Sequence, residues 1–186
     1  GILHQVGIRV VVVHGGGPQA TRLSERLGLE SRFVDGRRVT DKETLEVATM
    51  VMNGDINTRI LAACRELGVP AVGVSGVDGG LIRARKRPPV QREGGVVDYG
   101  YVGDIERVDA AVIAKLLEDD LVPIVSPISA DDSGTLLNIN ADTVAAAIAC
   151  ELKAEKLILA TGVAGILESL SDPGSLISYV DIAGLK

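Results

Sequence analysis

Apolar residues run along this chain in two rhythms. Short, mostly apolar runs at 10–13, 71–75, 122–126 and 157–160 predict buried strands, the first of them all valine, a β-branched residue that packs well on a pleated surface. Between them, apolar positions recur every three or four residues. That spacing predicts helices from Pro18 to about Leu27, from Thr40 to Leu67, from Asp109 to about Asp119, and over 141–152. Thr40 and Glu43 fit a capping box for the long second helix, and Gly54 in its middle marks a kink or a close packing point. Strands alternating with helices predict an α/β fold, a three-layer sandwich whose central sheet is mostly parallel and covered on both faces. Residues 81–108 alternate at strand period and are broken by Gly100 and Gly103, so they form a small β-rich insertion. Asp35-Gly36, between Phe33-Val34 and Arg37-Arg38-Val39, is a hairpin signal.

Composition narrows the class. The 186 residues suit one domain, and residues 1–186 are read as such. Residues 1–7 look like the tail of a helix and 181–186 like the start of one, so the domain is expected to be incomplete at both ends. A net charge of −6 and 2% aromatic residues lack the basic face and stacking rings of a nucleic-acid binder. No apolar run reaches the roughly 18 residues of a membrane span. Cys64 and Cys150 stand in apolar helical settings and read as buried reduced thiols of a cytoplasmic protein. Two histidines and two scattered cysteines offer no metal-ligand spacing.

The chemistry centres on His14-Gly15-Gly16-Gly17-Pro18. A strand that breaks into glycines and restarts as a helix brings bare N–H groups to a helix N-terminus, a setting for an anion. Gly15-x-Gly17-x-x-Ala20 with Asp35 downstream fits a dinucleotide fingerprint, but Asp35 belongs to a hairpin turn, not to the end of a second parallel strand. His14 with three glycines resembles a hydrolase oxyanion loop, yet no G-x-S-x-G follows and no later histidine exists. A Walker loop is absent. A fourth reading is a glycine turn holding the phosphoryl group or carboxylate of a small-molecule kinase.

Seven segments support that reading together: VVVHGGGPQ (11–19), GRRVTD (36–41), VSGVDGGLIRA (74–84), VDYGYVGDI (97–105), LVPIVSPI (121–128), LNINADTVAAAIA (137–149) and LILATGVAGIL (157–167). In this order they resemble the amino-acid kinase family, most closely its members that act on N-acetyl-L-glutamate. The resemblance implies transfer of the γ-phosphoryl group of ATP, with Mg²⁺ carried by the nucleotide, to the side-chain carboxylate of N-acetyl-L-glutamate, for arginine biosynthesis. A carboxylate with a pKa of about 4.3 is already ionised at neutral pH. No general base is needed, and catalysis consists of holding repelling anions together.

The resemblance also assigns roles. Gly16 and Gly17 give main-chain N–H groups to the phosphoryl group and the substrate. Arg38 grips the substrate's α-carboxylate, Asn138 bonds the substrate, and Asn140 holds the loop. Asp142 orients the catalytic lysines. Thr161, Val163 and Gly165 border the nucleotide. A homodimer is implied, with the helix of residues 40–67 at its interface. The chain departs from the family in lacking an N-terminal Lys-x-Gly-Gly strand and a C-terminal lysine, with Gly162 where Asp is usual and Val77 where Lys is common. Those departures leave open a second reading, a kinase-like domain that binds arginine as a regulator, as in N-acetylglutamate synthases.

Overall fold

The computed structural model describes residues 1–186 except Asp35, Gly36, Glu93, Val163, Ala164, Leu170, Pro173, Ile182, Leu185, Lys186 and the side chain of Arg37. It divides into two compact units, Gly1–Lys156 and Leu157–Lys186.

In the first unit a short helix α1 (Ile2–Gln5) precedes strand β1 (Val12–Val13) and helix α2 (Gly17–Arg26). Strands β2 (Phe33–Val34) and β3 (Arg37–Arg38) pair antiparallel, as the hairpin signal requires, although the turn itself lies outside the described residues. Then come α3 (Lys42–Thr49), a π-helical stretch Met50–Ile56, and α4 (Asn57–Glu66). The cap of α3 is not Thr40. Asp41 accepts from Thr44 N at 2.8 Å, because Thr40 is fully buried and its backbone is already bonded to Tyr99 and Tyr101. Nothing packs within 4 Å of a side chain built at Gly54, so its place is in the widened π-helical turns and not at a close contact.

The insertion supplies β5 (Ile82–Lys86), β6 (Val90–Arg92), β7 (Gly95–Val97) and β8 (Gly103–Val108). Helix α5 (Ala111–Glu118) leads to β9 (Val122–Ser126). A hairpin follows, β10 (Ile128–Ala130) against β11 (Leu136–Asn138), and then α6 (Ala141–Glu151).

The order β1-β9-β4, with β4 at Ala71–Ser75, makes a parallel sheet. A second sheet, β11-β10-β5-β8, is mostly antiparallel, and β6-β7 is a separate hairpin. Side-chain alternation divides the parallel sheet into two faces. Ile124 and Val12 pack with Ile60, Leu61 and Cys64 of α4. Val125, Val74, Val11 and Val13 pack with Ile113 of α5 and with Val144 and Ile148 of α6. Helices on both faces give the three-layer sandwich, and the 81–108 region is the β-rich addition.

Two expectations fail. Residues 157–160 form no strand, and Leu157, Ile158 and Leu159 are exposed. Of these four residues only Ile158 is β-branched, and among the described residues no ladder pairing involves the segment. In the second unit the described pairing is an isolated bridge between Leu167 and Leu176. Cys150, expected to be buried, is exposed on α6, while Cys64 is half-buried. Among the described residues no helix is long and apolar enough to cross a membrane.

Candidate functional site

Parallel strands end together, and their carboxyl ends carry the polar turns. At the end of β1 the chain passes through Gly15 and Gly16 into α2. Gly16 is the N-cap of that helix and is buried, with Pro18 in the first turn. A Cβ at Gly16 would stand 2.6 Å from Ile56 Cδ1 and 3.0 Å from Met52 Cγ, both in the π-helical stretch, so no side chain fits. No side chain caps α2, its first turn carries no acid, and among the described residues nothing accepts from the Gly16 N–H. This end therefore keeps unpaired donors and a positive dipole end.

Arg38 comes to the same turn from β3. Its guanidinium donates to Gly17 O at 3.0 Å, to Thr21 Oγ1 at 2.5 Å and to Ser31 Oγ at 2.9 Å, and it lies 4.9 Å from the Phe33 ring centroid. Thr21 Oγ1 in turn donates to Gly17 O at 3.0 Å. Burial lowers the Arg38 pKa from its ordinary value, but a guanidinium starts high enough to stay charged. The bonds fix a cation beside the bare N–H groups.

A path of contacts runs from Arg38 to α6. Two residues beyond Arg38, Thr40 Oγ1 accepts from Asn138 Nδ2 at 3.4 Å, at the end of β11. Asn138 N also donates to Tyr101 O at 2.8 Å. Asn140 caps α6, its Oδ1 accepting from Thr143 N at 3.0 Å. Asp142 is exposed in the first turn of α6. The neighbouring Ala141 Cβ lies 3.5 Å from the position of a Cβ at Gly15, which returns the path to the glycine turn. Gly16, Gly17, Arg38, Asn138, Asn140 and Asp142 thus all belong to one run of neighbours.

Thr161 and Gly165 belong to the second unit, and Val163 lies outside the described residues. In that unit Gly165 has a φ of +149°, and a Cβ there would meet Leu176 Cδ1 at 2.9 Å.

Two polar residues lie beneath the glycine turn: His14, weighed in the sequence only as part of a hydrolase loop, and Asn57, which the sequence reading passed over. His14 is buried, with Nδ1 3.0 Å from Gly15 O and Nε2 3.2 Å from Asn57 Nδ2. Asn57, also buried, donates to Ile124 O at 3.0 Å. Burial lowers the His14 pKa, partly offset by its bond to the Gly15 carbonyl. Asn57 was visible as a polar residue on the apolar stripe of a helix, a position that needs a partner. Beside it, a cleft of about 90 Å³ is lined by Asn53, Asn57, Gly73, Val74, Ser75, Asp78 and Ser126, none of them a predicted site residue.

A model of the amino acid kinase family matches residues 2–185. The chain is 51% identical over 170 residues to an acetylglutamate kinase of Methanopyrus kandleri, covering 91% of this chain and 69% of that protein. It is 49% identical to an acetylglutamate kinase of Myxococcus xanthus, covering 99% of this chain and 62% of that one. Among solved structures, smu.665 from Streptococcus mutans UA159 superposes with a TM-score of 0.78 at 31% identity, covering 89% of this chain and 64% of that chain. N-acetylglutamate synthase from Neisseria gonorrhoeae, complexed with coenzyme A and N-acetyl-glutamate, gives a TM-score of 0.73 at 30% identity, covering 89% and 37%.

Proposed function

This chain belongs to the amino acid kinase family, and on that premise we propose that it serves an acetylglutamate kinase. In this reaction ATP donates its γ-phosphoryl group to the side-chain carboxylate of N-acetyl-L-glutamate, giving an acyl phosphate. The chain spans about two thirds of the length of the curated relatives it matches, 69% and 62%. We read residues 1–186 as part of one kinase-like domain, since the family match crosses both units.

The observation that carries the reading is the uncapped, acid-free start of α2 with Arg38 bonded to its first carbonyl. Such a donor set suits an anion and repels a cation. Gly16 and Gly17 would donate to the transferring phosphoryl group and the substrate. Arg38, with N–H groups beyond those it uses on Gly17, Thr21 and Ser31, would hold the α-carboxylate. Asn138 and Asn140 would border the substrate, and Asp142 would position the lysines that neutralise the phosphoryl group. Thr161, Val163 and Gly165 would border ATP. Mg²⁺ would arrive on the phosphates and would offset their charge. Among the described residues no group of three or more His, Cys, Asp or Glu side chains forms a protein cage for it. The same reading carries a homodimer built on residues 40–67 and a cytoplasmic location.

A regulatory reading draws on the likeness to the Neisseria gonorrhoeae synthase, which is also known in complex with L-arginine, at 29% identity and a TM-score of 0.74. Incubation of the full-length protein with ATP, Mg²⁺ and N-acetyl-L-glutamate, with hydroxylamine as trap, tests the proposal. Hydroxamate that depends on all three supports the kinase. No hydroxamate, with arginine bound in titration calorimetry and acetylglutamate not bound, sinks it in favour of the regulator.

A further inference from the structure

Gly15 and Gly16 carry no Cβ to restrict their backbone, so something must choose which way the Gly15–Gly16 peptide faces. Glycine populates both halves of φ space. A peptide flip there would exchange the N–H that meets an anion for a carbonyl oxygen that repels it. The structure contains a device that prevents the flip.

His14 Nδ1 lies 3.0 Å from Gly15 O, and since that oxygen can only accept, Nδ1 carries the proton. Its other nitrogen, Nε2, faces Asn57 Nδ2 at 3.2 Å, and an amide NH₂ can only donate. The two bonds demand one protonation state, the neutral imidazole with its proton on Nδ1. An imidazolium would set an N–H against the Asn57 NH₂. Asn57 is itself held in this sense by its bond to Ile124 O at 3.0 Å, in the middle of β9. A Cβ at Gly73 would fall within 2.0 Å of Asn57 Oδ1, so Asn57 fills the space that β4 leaves above this glycine. The chain from sheet to glycine turn is thus Ile124 O, Asn57, His14, Gly15 O.

Among the described residues all peptide bonds are trans, so the C=O of Gly15 and the N–H of Gly16 point in opposite directions. Holding Gly15 O against the His14 ring turns the Gly16 N–H away from it. We infer that His14, oriented by Asn57, is a positioning residue that locks the Gly15–Gly16 peptide with its N–H outward, as a preformed donor for the transferring phosphoryl group. The inference rests on the kinase reading for the identity of the anion. The geometry of the lock does not depend on it.

Two substitutions separate the lock from mere packing. His14→Asn places an amide NH₂ where Nδ1 stands and keeps the bond to Gly15 O. His14→Gln reaches towards Nε2 and abandons that bond. In the full-length protein, His14→Asn is expected to keep kcat within about fivefold, while His14→Gln lowers kcat at least 30-fold with KM changed less than threefold. Equal kcat losses in both variants overturn the inference. A second measurement needs no variant. In protein labelled with ¹⁵N-histidine and ¹⁵N-glycine, His14 is expected as the Nδ1–H tautomer at pH 7, and an Nε2–H tautomer overturns the lock. With N-acetyl-L-glutamate and ADP as probes, the Gly16 amide resonance is expected to move in the unsubstituted protein and to stay still in His14→Gln. Movement of equal size in both overturns the lock. If hydroxamate is not formed by the unsubstituted protein, the kinase reading falls instead, and the tautomer still decides the lock.

Discussion

Two helices begin within one run of neighbours, and they solve the problem of their free N–H groups in opposite ways. Helix α6 supplies its own oxygens: Asn140 accepts from Thr143 N, and Asp142 stands in the first turn. Helix α2 supplies none, since its cap is Gly16 and its first turn has no acid. The starts of both meet where Ala141 faces Gly15. One end is satisfied and negative, the other unsatisfied and positive. On the proposed reading, an anion that comes to this corner would be received at α2, and α6 would offer the acid that orders the cations around it.

Closing the open end is expected to have the largest effect. In Gly16→Ala the new methyl collides with Ile56 and Met52. The cost is about 1–3 kcal/mol of stability from overpacking, and the shift forced on the Gly16 N–H, which alanine keeps, misplaces a donor to developing charge and lowers kcat by about 100-fold. Urea unfolding and the hydroxamate assay measure the two separately. On the other side of the corner, Asp142→Asn removes the acid and leaves the cap. Turnover is expected to fall by about 100-fold through misplaced reacting groups, with stability changed by no more than about 1 kcal/mol.

Arg38→Lys keeps the charge but loses the fork that spans Ser31, Thr21 and Gly17. Losing a charge-assisted bond worth about 1.5–3 kcal/mol raises the KM for N-acetyl-L-glutamate by about 10- to 100-fold. Uncapping the satisfied end is a milder change. Asn140→Ala costs about 1 kcal/mol, seen as a drop in Tm of about 2–4 °C. The smallest effect is set by pH. His14 has its pKa lowered chiefly by burial, so the unfolded chain binds the extra proton first. Stability therefore declines as pH falls below about 6.5 and towards the folded value. His14→Asn removes that slope, and denaturant midpoints between pH 5 and 7 measure it.

Sequence pattern revealed α2 more fully than what surrounds it. A β-branched run, three glycines and a proline leave few conformations, and the strand, turn and helix stand in that order. The cap of α3 was misread by one residue because Thr40 and Asp41 are both good caps. Only the bridge from Thr40 to Gly100 shows that Thr40 is already engaged. Residues 50–56 keep the apolar spacing of an α-helix, and Gly54 signals an irregularity there without specifying the π-helical turns that bring Met52 and Ile56 against Gly16. The run at 157–160 is apolar like the strand before Gly15, but it holds a single β-branched residue, Ile158. Competence for a ladder is local, whereas the edge that completes it is not. The lock of His14 and Asn57 joins residues 43 apart and becomes visible only when α4 crosses the sheet.

The contrast between the two helix starts is tested most directly by an amide titration of the protein with N-acetyl-L-glutamate. The account predicts that the Gly16 and Gly17 resonances move with saturation while that of Thr143, already bonded to Asn140, stays in place. Movement of Thr143 with Gly16 and Gly17 unchanged would contradict it.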